Sequence, residues 1–547
     1  MPQITRRTFL RASAGAAAAL YVGGCGSSST QSGTVRLPGG TFGFPTPFAY
    51  IAGLGYEQMS YIYDTLLWKD ASGRLIPWLA RKVRRSDDGR TYMFELREGV
   101  KWHDGRPFTA EDVVFTFDYF ADQPLGPLVT AQPRGVSGAR ARSRLVVEVE
   151  LEAPAVTFLE QVASAVPIVP KHVWSKIEDA PLTQSRKVLV GTGPYRLRSY
   201  SAGEGAYQYE ANNGFFLGKP FIKRIELRPV DDQLSALRAG EIDSASTPPE
   251  GVGRDALGPF RGDEFGILGS PATFTFPLIW NIAKGGALAD VRFRRASAMA
   301  IDRQAIVNRL IAGQGSPGNP GFIPPKHPFH VPVEQYPFDP AAANRLLDRA
   351  GYERGSGGVR RGPDGKQLRY TLVTGNVPVP PMLDMLVAAM KEIGVELKPQ
   401  AVDLPTLFSR LEAGDNEIAL SLYPGPGPTA LNSDPDYMRT FYSSRVKDRL
   451  QGAQGWVNHE FDRLADRQLV TADRQERMRL VARMQHIVAD ELPVLPLYYP
   501  TLFDAFRKEA FDQWYYTPGG FAGGLPGVYN KQALVTGRKV GLEVRSS

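Results

Sequence analysis

Phe94-Glu95-Leu96-Arg97-Glu98-Gly99-Val100-Lys101-Trp102-His103-Asp104-Gly105-Arg106-Pro107-Phe108-Thr109-Ala110-Glu111-Asp112-Val113-Val114-Phe115-Thr116-Phe117 is the stretch from which the rest of the chain is best read. With Tyr92 and Met93 it opens in a period-two alternation, the pattern of a half-buried strand. Arg97-Glu98-Gly99 turns the chain, Val100-Lys101-Trp102 reads as a second short strand, and His103-Asp104-Gly105 as a second turn. Thr109 and Asp112 stand as a capping box, a hydroxyl at the N-cap and an acid three residues on. Val113, Phe117 and Phe120 follow at helical spacing and give one apolar face. His103 and Asp104 invite a catalytic reading. In a tight turn before a capped helix, however, such residues position backbone, and the structural role is the expectation.

Outward from this stretch, strand-like and helix-like pieces alternate. Strands are expected at 145–151, 221–227, 369–373, 395–397 and 494–498. Helices are expected from Asp232 to a stop near Gly240, from Arg292 to Ile311 as one long element, and from Pro340 to Ala350. Further helices are expected over 381–393 and 473–491, and the pieces between 369 and 397 form a βαβ unit. The fold class is therefore α/β, and 547 residues exceed what a single core holds, so at least two lobes follow.

Composition is that of a globular protein, 43% hydrophobic and 22% charged. The formal charge is +7, three of it from Arg6, Arg7 and Arg11 in the N-terminal segment. The nearest thing to a basic run, Arg81-Lys82-Val83-Arg84-Arg85, is followed by Asp87 and Asp88, so it reads as a solvated turn rather than a nucleic-acid footprint.

The first residues have the form of an export signal. Arg6 and Arg7 precede Phe9-Leu10, and an Ala/Gly-rich apolar stretch too short to span a bilayer follows. The paired arginines resemble the twin-arginine signal, with a general secretory signal as the alternative. Val22-Gly23-Gly24-Cys25 resembles a bacterial lipobox, and Cys25 is the sole cysteine of the chain. The expectation is an export signal over 1–24, lipid attachment at Cys25, and a flexible tether over 25–33. The body would then sit in the periplasm or at the outer face of the cytoplasmic membrane.

The Phe94–Phe117 stretch, followed in order by Gly191-Thr192-Gly193-Pro194-Tyr195, Asn213 to Pro220, Ala236 to Asp243, Asp290 to Ala296, Ala300 to Arg303 and Leu346 to Tyr352, resembles the family 5 extracellular solute-binding proteins. These form the dipeptide/oligopeptide/nickel-binding group of bacterial ABC importers. The resemblance covers nearly all of the mature chain. It implies a two-lobed periplasmic-binding-protein fold, type II-like, with a hinge between the lobes. Lobe I would comprise 34–74, 186–275 and 496–547, with an extra subdomain over 75–185; lobe II would comprise 276–495. It also implies a monomer that binds a small solute, a peptide by default, without a cofactor, metal or nucleic acid, and that docks on ABC permease subunits.

Dipeptide-binding members resemble one another in a Trp-x-x-Asp-x-x-Asp-Pro pattern whose first Asp meets the ligand ammonium. Here Asp434-Pro435 matches the second half, and Leu431 stands where the pattern has its first acid. Either another acid serves, or the solute is not a simple dipeptide. The ligand contacts expected are Trp280 and Asn281 near the first lobe crossing, Asp434, and the aromatics Tyr423 and Trp456. Non-peptide solutes (oligosaccharide, metal chelate, opine-like) and a sensory receptor role are the alternatives. A secreted hydrolase would need a nucleophile–base or metal constellation. The chain has no HExxH, GxSxG, P-loop or dinucleotide fingerprint, and His327 and His330 lie together only in a Pro-rich loop.

Overall fold

The computed structural model describes residues 33–71, 73–123, 125, 131–247, 252, 254–271, 275–375, 380–421, 434–446, 453–516 and 530–539. Arg6, Arg7 and Cys25, the expected anchor and signal residues, lie outside them, as do Tyr423 and Leu431. The chain forms the two-lobed, mixed α/β fold that the signature implied.

In the first lobe, Thr34–Pro38 runs parallel to Arg224–Arg228, and Ala206–Ala211 and Tyr195–Ser201 extend the sheet antiparallel. A second, antiparallel sheet in the order Ala80–Arg85, Thr91–Leu96, Val146–Leu151, Val136–Ser143 holds the signature strand. Its alternation is the one read from sequence: Tyr92, Phe94 and Leu96 are buried, and Met93 and Glu95 look outward. The capped helix Ala110–Ala121 covers this sheet, and both sheets share one hydrophobic core.

The capping box closes as expected, the Thr109 N–H donating to Asp112 Oδ2 at 2.9 Å. Asp112 also accepts the Lys171 N–H at 3.0 Å and the Trp102 indole N–H at 3.4 Å, so the cap anchors two neighbouring loops as well. The short strand expected at Val100–Trp102 is instead one side of a tight loop. Trp102 N donates to Arg106 O at 2.8 Å and Phe108 N to Val100 O at 3.0 Å, leaving no third strand to pair with.

His103 is buried and works on backbone. Its Nε2 meets Gly193 O at 2.9 Å, and its own N–H donates to Gly191 O at 2.8 Å. It thereby pins the Gly191–Gly193 loop against the end of the first helix. A Cβ at Gly191 would lie 1.8 Å from Ile62 O, and one at Gly193 2.4 Å from Tyr61 O, so only glycine allows this approach. Burial pulls the His103 pKa down to about 4. The unfolded chain therefore takes up a proton near pH 6.5 that the native state refuses until about pH 4. His103 should cost the fold about 3 kcal/mol as pH falls through that window. Urea unfolding of wild type and His103→Gln from pH 7 to 4 checks this; parallel pH dependences for the two would refute it.

The second lobe's sheet has the order Glu396–Val402, Arg369–Gly375, Ile418–Leu420, Pro277–Trp280, Val494–Pro496, the first three parallel. The βαβ unit is present, with the helix Pro380–Glu392 as its crossover. Two expected elements break. The helix expected from Arg292 to Ile311 is two, Val291–Ala300 and Arg303–Ile311. Ile301 is extended, and the Asp302 carboxylate accepts the Ala305 N–H at 2.8 Å, starting a new helix mid-pattern. The strand expected at 494–498 also divides. Val494–Pro496 ends in the second lobe, and Tyr498–Arg507 begins a long strand pairing with Phe265–Pro271 and Ser244–Ser246. The strand expected at 221–227 starts only at Arg224, because the N–H groups of Phe221 and Ile222 go to Val535 and Leu534 carbonyls.

Candidate functional site: the cleft between the lobes

Two stretches of chain carry the fold from one lobe to the other, and they run side by side. Phe265–Pro271 leads into Pro277–Trp280, and Val494–Pro496 leads back into Tyr498–Arg507. Between them the Phe276 and Tyr498 rings stack at 5.0 Å, and the Thr275 hydroxyl donates to Tyr498 O at 2.8 Å. This pair of strands is where a hinge would lie.

The edge of the second sheet that faces the crossing follows from register. Pro277 sits beside Pro496 and accepts the Ser421 N–H, just past the end of Ile418–Leu420. The carboxyl ends of the parallel strands, at Gly375, Val402 and Leu420, lie along this edge, where solutes bind in open α/β sheets. Trp280 and Asn281 lie at the other end. Trp280 pairs with Ile418, and Asn281 N donates to Glu417 O at 2.9 Å, about 13 Å from Pro277 at 3.3 Å per residue. The Trp280 ring belongs to the second lobe's core, and the Asn281 amide donates to Gly414 O at 3.0 Å and Asn416 O at 2.9 Å.

Asp434 lies on the cleft side but is fully engaged. Arg477 grips it bidentately, Nη1 to Oδ2 at 2.7 Å and Nη2 to Oδ1 at 2.6 Å, and the Asp436 N–H adds 2.9 Å. Burial is the main influence on its carboxyl and pushes its pKa up, with the Arg477 pair opposing. Asp436 in turn accepts Arg439 Nε and Nη2 at 2.7 and 2.8 Å and Gln468 Nε2 at 2.6 Å, while Gln468 Oε1 accepts Arg477 Nη2 at 2.8 Å. Trp456 is a core aromatic packed on Tyr442 and Phe461, its indole N–H donating to Glu491 Oε2 at 2.5 Å. His330 and His327 serve their own loop: His330 Nδ1 meets Ile323 O at 3.1 Å, and His327 Nδ1 accepts the Phe329 N–H at 3.1 Å. Among the described residues, no three His, Cys, Asp or Glu side chains converge as a metal site would require.

Facing this network from the first lobe's subdomain is a second ion pair, Lys69 with Glu160, close enough for Glu160 to raise the Asp434 pKa further. The two walls touch where Val156 N donates to Leu469 O at 2.9 Å, next to Gln468. Sequence reading did not find Glu160, Lys69 or Arg477. Each sits in an unremarkable charged context, and only the chain path brings them together.

The sequence model described as bacterial extracellular solute-binding proteins, family 5 Middle, matches residues 74–448. Protein XP55 of Streptomyces lividans is 34% identical over 332 residues, 60% of this chain and 59% of that protein. The oligopeptide-binding protein AppA of Bacillus subtilis is 24% identical over 511 residues, 88% of this chain and 91% of AppA. The structure of AppA in complex with a nonapeptide covers 91% of this chain and 98% of its own, with 22% identity and a TM-score of 0.74. NikA of Brucella suis in complex with Fe(III)-EDTA covers 89% of this chain and 98% of its own, with 23% identity and a TM-score of 0.76. Members of the matching family bind solutes and are not enzymes. Among the described residues no helix is long and apolar enough to cross a membrane. The chain belongs to the bacterial extracellular solute-binding proteins of family 5.

Proposed function

We propose that this chain is the lipid-anchored binding subunit of an ABC importer, capturing a peptide between its lobes and delivering it to a membrane permease. The Val156–Leu469 hydrogen bond is the observation that carries closure, because it joins the far wall of the subdomain to the second lobe and would break if the lobes swung apart. Anchoring rests on Cys25 behind its signal, and the peptide on relatives such as AppA, named as oligopeptide-binding. A protein of this kind acts as a monomer and needs no cofactor.

Thermal unfolding tests capture. A peptide held at a hundredfold excess over its dissociation constant adds about 2.7 kcal/mol to stability and raises the melting temperature. A flat melting temperature across peptides, oligosaccharides and metal chelates would sink the capture role.

A further inference from the structure

We infer that the cleft takes a solute with no ammonium group, a peptide whose amino end is closed by acylation or cyclisation; this rests on the solute-binding reading above. Holding an ammonium away from bulk water requires a carboxylate that is not already neutralised. The carboxylates on the two walls are spent. Asp434 is held by Arg477, Asp436 by Arg439 and Gln468, and Glu160 by Lys69. Asp403, at the carboxyl end of Glu396–Val402, caps the next helix through the Thr406 N–H and hydroxyl, both at 2.8 Å.

These walls are built from matched ion pairs and offer an incoming solute no net negative charge. Drawing Asp434 toward a ligand would strip Arg477, itself mostly buried, of its partner, so the pair is a poor donor of spare charge. The composition of the adjoining chain points the same way: residues 376–379 and 422–433 contain no Asp or Glu. An ammonium entering this cleft would lose its hydration and gain no counter-charge. An amide or a ring closure at the same place would lose far less.

The test uses the purified protein and one library of random nonapeptides made in two forms, free and N-acetylated, with the retained members identified by mass spectrometry. Acetylated members should be retained at least tenfold over their free twins. For the best binder, the free twin should gain affinity between pH 7 and 9, as its α-amine (pKa roughly 7.7–8.0) loses its proton. Equal retention, preference for the free form, or affinity that falls over that pH range would overturn the inference. If neither form is retained while another solute raises the melting temperature, the inference fails and solute capture stands. If no solute raises it, both fail.

Discussion

Lys531→Ala should lower the unfolding free energy by about 3–5 kcal/mol, the cost of leaving a buried charge without its partner. Lys531 and Asp64 are both fully buried, with Nζ to Oδ1 at 2.9 Å. Asp64 also accepts the Trp78 indole N–H and the Thr192 hydroxyl, each at 2.8 Å. Lys531 Nζ donates to Ser60 O at 2.9 Å and sits 3.9 Å from the centre of the Trp68 ring. Burial lowers the Lys531 pKa, and Asp64 opposes that shift. The pair closes the first lobe, since it joins the segment after the first helix to Lys531–Thr536 near the end of the described chain. The double variant Asp64→Asn/Lys531→Met, which removes both charges, should recover most of the loss. Denaturant unfolding of the three proteins decides it; a single variant within about 1 kcal/mol of wild type would show that the pair is not structural.

Glu57→Gln should act in the opposite direction and stabilise the protein at neutral pH. Glu57 is buried on the first helix, where its Oε1 accepts the Tyr61 hydroxyl at 2.6 Å, and burial drives its pKa to about 8. The native state thus keeps a proton that the unfolded chain releases near pH 4.5. Stability is full below that value and is lost as pH rises through about 8. At pH 7 the deficit is on the order of 3 kcal/mol. Glutamine keeps the acceptor for Tyr61 and cannot ionise. Tyr209, whose buried hydroxyl has no hydrogen-bond partner, is near enough to feel the Glu57 charge and can receive the new amide. The variant should flatten the fall in unfolding free energy between pH 5 and 8. An unchanged slope would mean that Glu57 does not carry its proton into the native state.

Both predictions concern groups that the sequence did not single out, and the reason is physical. A strand's alternation, a capping box and a Gly-centred turn are decided within a few residues. Tyr92, Phe94 and Leu96 face inward because the strand period is two, and Thr109 caps its helix because Asp112 lies three residues on. The same local reading failed at Asp302, where a cap inside an unbroken helical pattern splits it. It failed again at Leu497, where a continuous apolar run changes sheets between lobes.

The site was less legible than the fold. Trp280 and Asn281 were rightly associated with the first crossing, but the antiparallel course of Pro277–Trp280 carries them to the end of the sheet away from it. Asp434 was found by motif. What the motif omitted is Arg477, which lies on a later helix and neutralises it.

By itself, then, the sequence determined the family, through the stretch from Phe94 to Phe117, and the helices and strands whose patterns close within a turn or a strand pair. The tertiary structure decided which charges are free, because a carboxylate's partner is chosen by the path of the chain and not by its neighbours. His103 looked catalytic in a one-dimensional reading and proves to be a buried clamp on Gly191 and Gly193. The cleft's neutrality, set by Lys69–Glu160 facing Asp434–Arg477, arises only where two lobes meet, since each member of those pairs is an ordinary charged residue in its own segment.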